Sequence, residues 1–203
     1  MTAAAIVLAA GASQRMGQPK ALLSIGGQTL LTGVLQRLRS VDIATTVVAI
    51  AEPHGALLQR ELERLAPMLV PMRLHWAWNP TPEGGMLSSV QCALAHLLAA
   101  DSLGLEGALI WPVDIPQVRA ETLRLLLAQG RPDGPPVVPT YGERGGHPLW
   151  LPRSLFAATL ELPPTLGLRE LRRRHRELRL PVDDSEILRD LDTPQDLQRL
   201  RGE

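Results

Sequence analysis

The regular alternation of short apolar runs with amphipathic segments constrains the fold of this chain more than any other feature. Ala4–Ala9 and Thr45–Ala51 are apolar runs that predict buried strands, whereas Thr29–Arg39 and Ala56–Leu65 place apolar residues at helical spacing. The alternation continues with strand, helix, strand and helix over Leu74–Trp78, Met86–Ala100, Ala108–Trp111 and Ala120–Ala128. We therefore predict an α/β fold with a mostly parallel central sheet and helices on both faces, in which ligands bind at the carboxyl ends of the strands.

The rhythm changes after Gly130, where proline and glycine become frequent. The pattern predicts a hairpin, two helices, an edge strand and a closing helix capped by Thr193. These elements cover Val137–Tyr141 with Gly142–Gly146 and Pro148–Leu151, then Ser154–Leu162, Leu166–Leu178, Arg179–Val182 and Pro194–Leu200. Because no repeat or long linker divides the sequence, we expect a single domain over residues 1–203, in which residues 131–182 form a hairpin subregion that covers the sheet.

The composition excludes several classes of protein. The chain has 21 basic and 21 acidic residues, so no global field draws it to nucleic acid or to an anionic membrane. Cys92 is the single cysteine, which excludes an internal disulfide and a multi-cysteine zinc site and fits a reducing cytoplasm. The apolar run Ala3–Ala10 follows no basic residue and is about half as long as a membrane span. We expect a cytoplasmic protein that binds neither nucleic acid nor membrane.

A glycine-punctuated loop with two cations follows the first predicted strand, from Leu8 to Lys20. Backbone N–H groups in such a loop can surround a phosphate while Arg15 and Lys20 neutralise it. Lys20 is the only lysine among the 21 basic residues, which indicates a position suited to a compact ammonium. The glycine spacing is neither that of a P-loop nor that of the dinucleotide fingerprint. An ordinary strand-to-helix connection capped by Ser13 explains the segment equally well.

Two further segments are candidates for ligand binding. Asn79–Val90 leads from a proline-rich loop into a helix whose first N–H groups and serine hydroxyls suit a polar ligand, although a capped helix with nothing bound also explains them. Asp114 follows a predicted strand and lies between two prolines, where a carboxylate can hold Mg²⁺ together with phosphate oxygens. The alternative role of Asp114 is to cap the next helix, and we favour the metal.

The remaining polar segments give weaker indications of function. Asp190–Asp196 places carboxylates beside a helix start, where Asp196 complements the helix dipole. Arg144–Pro148 either directs an arginine and an imidazole at a substrate or forms an ordinary glycine hairpin. The arginine-rich segment Arg169–Arg179 is typical of a solvated helix face. Cys92 lies among apolar helix residues, so we interpret it as a packing residue.

Taken in order, these segments resemble one family. The residues that carry the resemblance are Leu8-Ala-Ala-Gly11-x-Ser13-x-Arg15-Met16-Gly17-x-x-Lys20, Asn79-Pro80, Gly85-Met86-x-x-Ser89, Pro112-Val113-Asp114-x-Pro116, Arg144 to Pro148 and Asp190-Leu-Asp192-Thr193-Pro194-x-Asp196. They are similar to the nucleotidyltransferases of the molybdenum cofactor type, which include the molybdopterin cytidylyl- and guanylyltransferases. The match covers nearly the whole chain, and its first motif is the most specific.

The resemblance implies a Rossmann-like nucleotidyltransferase fold and transfer of a nucleotidyl group from an NTP to a phosphorylated acceptor, with pyrophosphate leaving. It implies that Arg15, Lys20 and Asp114 are catalytic, and that Asp114 binds Mg²⁺ with Asp192 in preference to Asp190. The nucleotide-binding residues that it implies are Leu8, Ala9, Ala10, Gly11, Ser13, Arg15, Lys20, Asn79, Gly85, Met86 and Ser89. On the acceptor side it implies His147, Arg144 and Arg169.

Ala10 is more similar to the cytidylyl branch of this family, so CTP is the expected donor and a molybdopterin-type cofactor the expected acceptor. The chain departs from the family at Gly145-Gly146 and at Pro163-Pro164-Thr165, where acceptor contacts are expected. Two alternatives therefore stay open. The acceptor is a sugar phosphate or another small phosphorylated molecule, or the protein is a nucleotide-binding accessory of a molybdoenzyme without turnover. The resemblance also implies transient contact with a molybdoenzyme or its chaperone.

Overall fold

The computed structural model describes residues 2–11, 18–100, 104–163, 165–193, 195, 196 and 198. The strands in these residues are β1 Ala3–Leu8, β2 Ser24–Ile25, β3 Gln28–Thr29, β4 Thr45–Ile50, β5 Arg73–Trp78, β6 Gly107–Pro112, β7 Val137–Tyr141, β8 Arg144–Gly145, β9 Leu149–Pro152 and β10 Leu178–Pro181. The α-helices are α1 Leu30–Ser40, α2 Gly55–Leu65, α3 Gly85–Ala100, α4 Ala120–Gln129, α5 Phe156–Glu161 and α6 Gly167–Arg174.

The main sheet has eight strands in the order β10-β7-β9-β6-β1-β4-β5, and β8 pairs with β7. The pairs β1 with β4, β1 with β6, β4 with β5 and β10 with β7 are parallel, whereas β8 and β9 run antiparallel to their neighbours. The predicted mostly parallel sheet is confirmed. From β1 the strand order proceeds to β4 on one side and to β6 on the other, and such a switch leaves a crevice at the carboxyl ends of the strands.

Two apolar cores cover the two faces of the sheet. α1, α2 and α4 pack on one face and α3, α5 and α6 on the other, as the predicted helices on both faces require. In β1, Ala5 and Val7 belong to the first core, whereas Ala4 and Ile6 belong to the second. A strand that is buried on both faces has a continuous apolar sequence, which is why Ala4–Ala9 shows no polar alternation. No helix in the described residues has both the length and the apolar character needed to cross a bilayer.

Residues 131–182 differ from the prediction in their place in the fold. The strands of this subregion extend the sheet, with β9 between β6 and β7, and only its helices α5 and α6 cover a face of the sheet. The helix predicted over Leu166–Leu178 ends at Arg174, because Arg176 has a left-handed backbone (φ 48°) and the chain then enters β10. β10 is the edge strand that the sequence predicts.

Two smaller differences concern turns. The sequence analysis did not predict the ribbon of β2 and β3, whose two-residue strands are too short to show a period. Gly26 and Gly27 close it with φ of 57° and 81°, the left-handed pair typical of a tight hairpin. The predicted closing helix Pro194–Leu200 lies mostly outside the described residues. At its start, Thr193 Oγ1 accepts from Asp196 N (3.2 Å), so the predicted cap is present.

The fully buried Trp150 on β9 fits between two glycines. A Cβ atom on Gly107 of β6 would lie 2.3 Å from the Trp150 ring, and one on Gly130, after α4, would lie 2.5 Å from it. Neither position has room for a side chain while Trp150 keeps its place, so the joint between β6 and β9 depends on both glycines.

Gly107→Ala should lower the free energy of unfolding by about 1–3 kcal/mol, because the new methyl group overpacks a filled core. Gly130→Ala should have a similar effect, whereas Leu57→Ala on the exposed side of α2 should change it by no more than about 0.5 kcal/mol. Urea denaturation measures all three. A Gly107→Ala protein as stable as the unsubstituted one would contradict this packing.

Candidate functional site

A cavity of about 490 Å³ opens at the carboxyl ends of β1 and β6, where the topology predicts a ligand crevice. The lining residues are Leu8, Ala9, Ala10, Gly11, Lys20, Ala21, Pro82, Gly85, Met86, Ser89, Pro112, Val113, Asp114 and Asp192. Its walls are therefore mostly apolar side chains, which range from Ala9 and Ala10 to Leu8 and Met86, and the charged groups lie at one side. A pocket of this size and lining suits one small organic ligand that carries a charged tail.

Most of the predicted nucleotide and metal residues meet in this cavity. Leu8 to Gly11 and Lys20 come from the connection after β1, Gly85 to Ser89 from the start of α3, and Asp114 from the turn after β6. Ser13 and Arg15 lie outside the described residues, so their predicted roles stay predictions. No binding role was predicted for the lining residues Ala21, Pro82, Pro112 and Val113, although Pro112 and Val113 belong to the motif around Asp114 and Pro82 belongs to the segment Asn79–Val90.

Lys20 joins two carboxylates that are far away in sequence. Its Nζ lies 2.5 Å from Asp192 Oδ1 and 3.5 Å from Asp114 Oδ2. Asp190 is exposed, and no contact between its side chain and Lys20 is found in the described residues. Of the two aspartates that the sequence left as candidates, Asp192 is thus the one beside Lys20. The ammonium compensates one of two negative charges, which leaves a local charge of minus one.

Burial governs the chemistry of Asp114. It raises the pKa of this carboxyl group, and the Asp192 charge adds to the increase, whereas the Lys20 charge and hydrogen bond lower the pKa. The backbone oxygen of Asp114 accepts from Leu191 N at 2.8 Å, which holds the turn in place. Asp114 does not cap the next helix, because the residue at the N-terminus of α4 is Arg119. The helix-cap alternative for Asp114 is therefore wrong.

The carboxylate pair fits a hard divalent cation. Because Asp114 and Asp192 both reach one ammonium, their oxygens converge on a small volume at the cavity wall. Mg²⁺ is usually bound through one or two carboxylates and completes its shell with water and phosphate oxygens. In the described part of the chain, no group of three or more His, Cys, Asp or Glu side chains is arranged to hold a metal. An ion here would therefore share its ligands with a phosphate.

A buried amide orients the serines at the start of α3. Asn79 Nδ2 donates to Ser88 Oγ and to Ser89 Oγ, each at 2.9 Å, and Asn79 Oδ1 accepts from Thr81 N. Ser88 Oγ in turn donates to Gly85 O at 2.9 Å. Ser89 lines the cavity and accepts from Asn79, so its own proton can be donated to a ligand. Asn79 does not line the cavity but sets the direction of a group that does.

The predicted acceptor residues His147, Arg144 and Arg169 do not line the cavity. Arg144 and Arg169 are exposed, on β8 and α6. His147 N donates to Ile187 O at 3.0 Å, and its Nδ1 is buried without a hydrogen-bond partner in the described structure. The pKa of His147 is lowered to about 4. Burial is the main cause and the Arg172 charge adds to it, whereas a hydrogen bond with the Ile110 backbone raises the pKa. His147 is thus a neutral imidazole whose Nδ1 can accept a hydrogen bond.

Cys92 has the structural role that was predicted for it. It is partly buried on α3, and its Sγ donates to Trp78 O at 2.8 Å. Burial raises the pKa of the thiol, so it is a poor nucleophile at neutral pH.

One functional segment was missed by the sequence analysis. The buried carboxylate of Asp184 accepts from Arg119 N (2.9 Å) and from Thr122 Oγ1 (2.7 Å) at the start of α4. This contact fixes the segment that runs on to Asp192 and so helps to place that carboxylate. Asp184 directly follows Asp183, and no sequence pattern shows which of the two carboxylates is buried and which is exposed.

The comparison with protein families decides what kind of domain this is. Residues 5–178 match the family described as the MobA-like NTP transferase domain. This chain belongs to the MobA-like NTP transferase family. The resemblance to nucleotidyltransferases of the molybdenum cofactor type, and the nucleotidyltransferase fold that it implies, are thereby confirmed.

Two curated relatives of this MobA-like domain carry related names. A probable molybdenum cofactor guanylyltransferase of Rhodopirellula baltica is 37% identical over 124 residues, which are 60% of this chain and 53% of the relative. The chain thus spans about half the length of that relative. The molybdenum cofactor cytidylyltransferase of Escherichia coli K12 is 24% identical over 191 residues, which are 94% of this chain and 91% of the relative.

A solved structure has the same architecture over its full length. Rv0371c from Mycobacterium tuberculosis H37Rv is 27% identical, with a TM-score of 0.79 and complete coverage of both chains. The same protein has been solved in complex with manganese, at 26% identity and a TM-score of 0.74, covering 100% of this chain and 99% of that one.

Acidification should destabilise this MobA-like domain through His147. The imidazole has a pKa of about 4 in the folded protein and 6.5 in an unperturbed histidine, so between these two pH values the unfolded chain binds more protons. The free energy of unfolding should therefore fall as the pH falls from 6.5 to about 4. Urea denaturation at steps of pH measures this loss. In His147→Gln, which has no such group to titrate, the loss should be smaller, and equal slopes for both proteins would contradict the assignment.

Proposed function

We propose that this domain transfers a nucleotidyl group, with CMP favoured, from an NTP to the phosphate of a molybdopterin-type acceptor and releases pyrophosphate, with Mg²⁺ as cofactor. The observation that carries this proposal is the group of Lys20, Asp114 and Asp192 at one wall of a cavity whose other lining residues are mostly apolar. A nucleotide needs such a division, because its base and sugar need a close-fitting apolar surface and its phosphates need cations.

The triphosphate would lie along the loop after β1. Ala9, Ala10 and Gly11 bring backbone to the cavity wall without large side chains, so phosphate oxygens can approach the chain closely here. The N–H group of Ala9 already donates to Ala49 O at 3.0 Å, so Ala10 N is the group proposed to donate to a phosphate. Lys20 adds a positive charge at the end of this loop, and Arg15 is proposed to add a second. The N-terminal end of α3 faces the same cavity, and its partial positive charge favours an anion there.

Asp114 and Asp192 would hold Mg²⁺ at this wall. When bound, the ion neutralises phosphate oxygens and increases the electrophilicity of the α-phosphorus. The carboxylate pair and Lys20 together have a charge of minus one, so one divalent ion changes the wall to plus one and makes it complementary to a triphosphate. The charge of Lys20 holds the two carboxylates together and limits their repulsion.

The proposed reaction needs no covalent enzyme intermediate. An acceptor phosphate oxygen forms a bond to the α-phosphorus as the bond from that phosphorus to pyrophosphate breaks, so the leaving group takes the electron pair. Charge increases on the leaving oxygens, and Lys20 and Arg15 are the residues proposed to neutralise it. The loop and α3 align donor and acceptor, and this alignment supplies the rest of the rate increase.

CTP is the proposed donor, and GTP is the competing one. The near-complete match to a cytidylyltransferase and the residue Ala10 support CTP, whereas the more identical but shorter match to a guanylyltransferase supports GTP. Ser89 offers a hydroxyl donor inside the cavity, which suits the carbonyl or ring nitrogen acceptors of either base. The acceptor, a transient contact with a molybdoenzyme or its chaperone, and a cytoplasmic location are part of the same proposal.

Asp114→Asn should lower kcat/KM by about 100-fold or more and weaken the response to Mg²⁺, because it removes a charged ligand from the phosphate site. Asp192→Asn should have an effect in the same direction. Asp190→Asn is the matched control, because Asp190 is exposed and lies two residues before Asp192. Its kcat/KM should stay within about twofold of the unsubstituted protein. Pyrophosphate release with molybdopterin and CTP measures all three. Full activity of Asp114→Asn would refute the metal role.

Nucleotide choice should appear in the melting temperature. A ligand present at 100 times its Kd stabilises the folded state by about 2.7 kcal/mol, which is several degrees in a domain of this size. CTP with Mg²⁺ should raise the melting temperature more than GTP, ATP or UTP. A larger shift with GTP would assign the guanylyl reaction, and no shift with any of the four would remove the proposed nucleotide site.

A further inference from the structure

The arginine-rich segment of α6 and β10 is unevenly neutralised. Glu170 accepts from Arg173 (2.7 Å) and from Arg174 (2.8 Å), and both of these arginines are more than half exposed. Glu177 is shared by Arg172 and Arg179, with N to O distances of 2.6 and 3.6 Å. One carboxylate therefore faces two guanidinium groups near β8, and one positive charge there remains uncompensated.

Arg172 differs from its neighbours in where its guanidinium lies. Only 23% of its side chain is exposed, against 73% for Arg173 and 53% for Arg174. Its Nε binds Glu177, and one Nη atom lies 3.7 Å from the position that a Cβ on Gly145 would occupy. Within the described residues, neither Nη atom has a hydrogen-bond acceptor. One Nη group thus faces the hairpin at Gly145, and both Nη groups can donate to a ligand.

The position of Arg172 relates it to the acceptor side of the cavity. One of its Nη atoms lies beside Gly145, two residues before His147, and His147 N donates to Ile187 O in the segment that leads to Asp192. Leu191 N in the same segment donates to Asp114 O at 2.8 Å, so contacts through Gly145–His147 and residues 187–191 connect Arg172 to the wall with Asp114, although Arg172 does not line the cavity itself. Arg172 is therefore placed toward the far end of an acceptor whose phosphate reacts beside Asp114, and not at the reacting phosphate itself.

Electrostatic balance divides the region into two parts. The wall with Asp114, Asp192 and Lys20 has an excess negative charge that suits a cation, whereas Arg172 and Arg179 with Glu177 have an excess positive charge that suits an anion. A planar guanidinium with two open Nη groups is the side chain best suited to bidentate binding of an oxyanion or a carbonyl-rich edge.

Resting on the function proposed above, we propose that Arg172 binds an anionic or carbonyl-rich group of the acceptor at the end remote from its reacting phosphate. The acceptor then belongs to the class of phosphorylated molecules that carry a second polar group at the opposite end. A molybdopterin-type heterocycle meets this requirement, whereas a minimal phosphate ester does not. Neither the motifs nor the resemblance assigns this residue.

Arg172→Ala should raise the KM for molybdopterin by about 10- to 100-fold and leave kcat and the KM for CTP within about threefold, because binding at the remote end is the same in ground and transition states. Arg172→Lys keeps the charge without the planar fork and should recover part of the loss. Arg174→Ala is the matched control on the same helix and should behave as the unsubstituted protein. Steady-state pyrophosphate release gives these constants.

Glu177→Gln distinguishes ligand binding from a structural ion pair. It removes the partner of Arg172 but keeps the guanidinium, so the acceptor KM should stay within about threefold. If Glu177→Gln reproduces the defect of Arg172→Ala, or if Arg172→Ala has an unchanged acceptor KM, the proposal is overturned. If Arg172→Ala does not fold, Arg172→Lys and Glu177→Gln decide by the same criteria.

The Kd of molybdopterin, measured without nucleotide by fluorescence titration, separates this inference from the proposed function. A protein that binds molybdopterin through Arg172 but releases no pyrophosphate with any NTP would refute the reaction and support the site. Turnover that is indifferent to Arg172 would refute the site and leave the reaction standing.

Discussion

The contact of one ammonium with two carboxylates organises this molecule. Lys20 lies beside the end of β1, Asp114 follows β6, and Asp192 lies 172 residues after Lys20, yet their charged atoms meet at one cavity wall. The pair of carboxylates would repel each other without a cation between them, and Lys20 supplies that charge. The strand order, the loop after β1 and the segment from Asp184 to Asp192 are each needed to bring these three groups together. Lys20 is the only lysine in the chain, and its short point charge fits where an arginine fork would extend past both partners.

The segment between Asp184 and Asp192 acts as a strap across the carboxyl edge of the sheet. Asp184 ties it to the start of α4, the carbonyl of Ile187 accepts from His147 N, and Leu191 N donates to Asp114 O. Gly146 has no room for a side chain, because a Cβ there would lie 2.3 Å from Ile187 O. The strap therefore links the hairpin, α4 and the turn after β6. Asp192 is placed by these contacts, since no regular element carries it.

Much of the fold was accessible from sequence because strands buried on both faces and amphipathic helices leave clear periods. The strands β1, β4, β5 and β6 and the helices α1 to α4 follow from those periods. The expectation that a ligand binds at the carboxyl edge of the sheet follows from the topology. The place of β9 in the sheet could not be predicted from the sequence, because the antiparallel insertion of this strand depends on the tight fit of Trp150 against Gly107 and Gly130. The end of α6 was also missed, since nothing in a run of arginines indicates the left-handed backbone of Arg176.

The candidate site shows the same division. Lys20, Asp114 and the start of α3 could be predicted because each lies next to a strand or helix end, whereas Asp192 was preferred to Asp190 only through the resemblance, and its contact with Lys20 is visible only in the structure. The neutral state of His147 and the position of Arg172 depend on burial and on neighbours distant in sequence, which no local pattern reports.

The separation of Lys20 from Asp192 also has a consequence for biosynthesis. A ribosome makes the chain from its amino end, so the strands from β1 to β6 can pair while the last carboxylate is still untranslated. The charged wall is thus assembled only after Asp192 has been made, and a nascent chain that is shorter than this cannot hold the full set of groups.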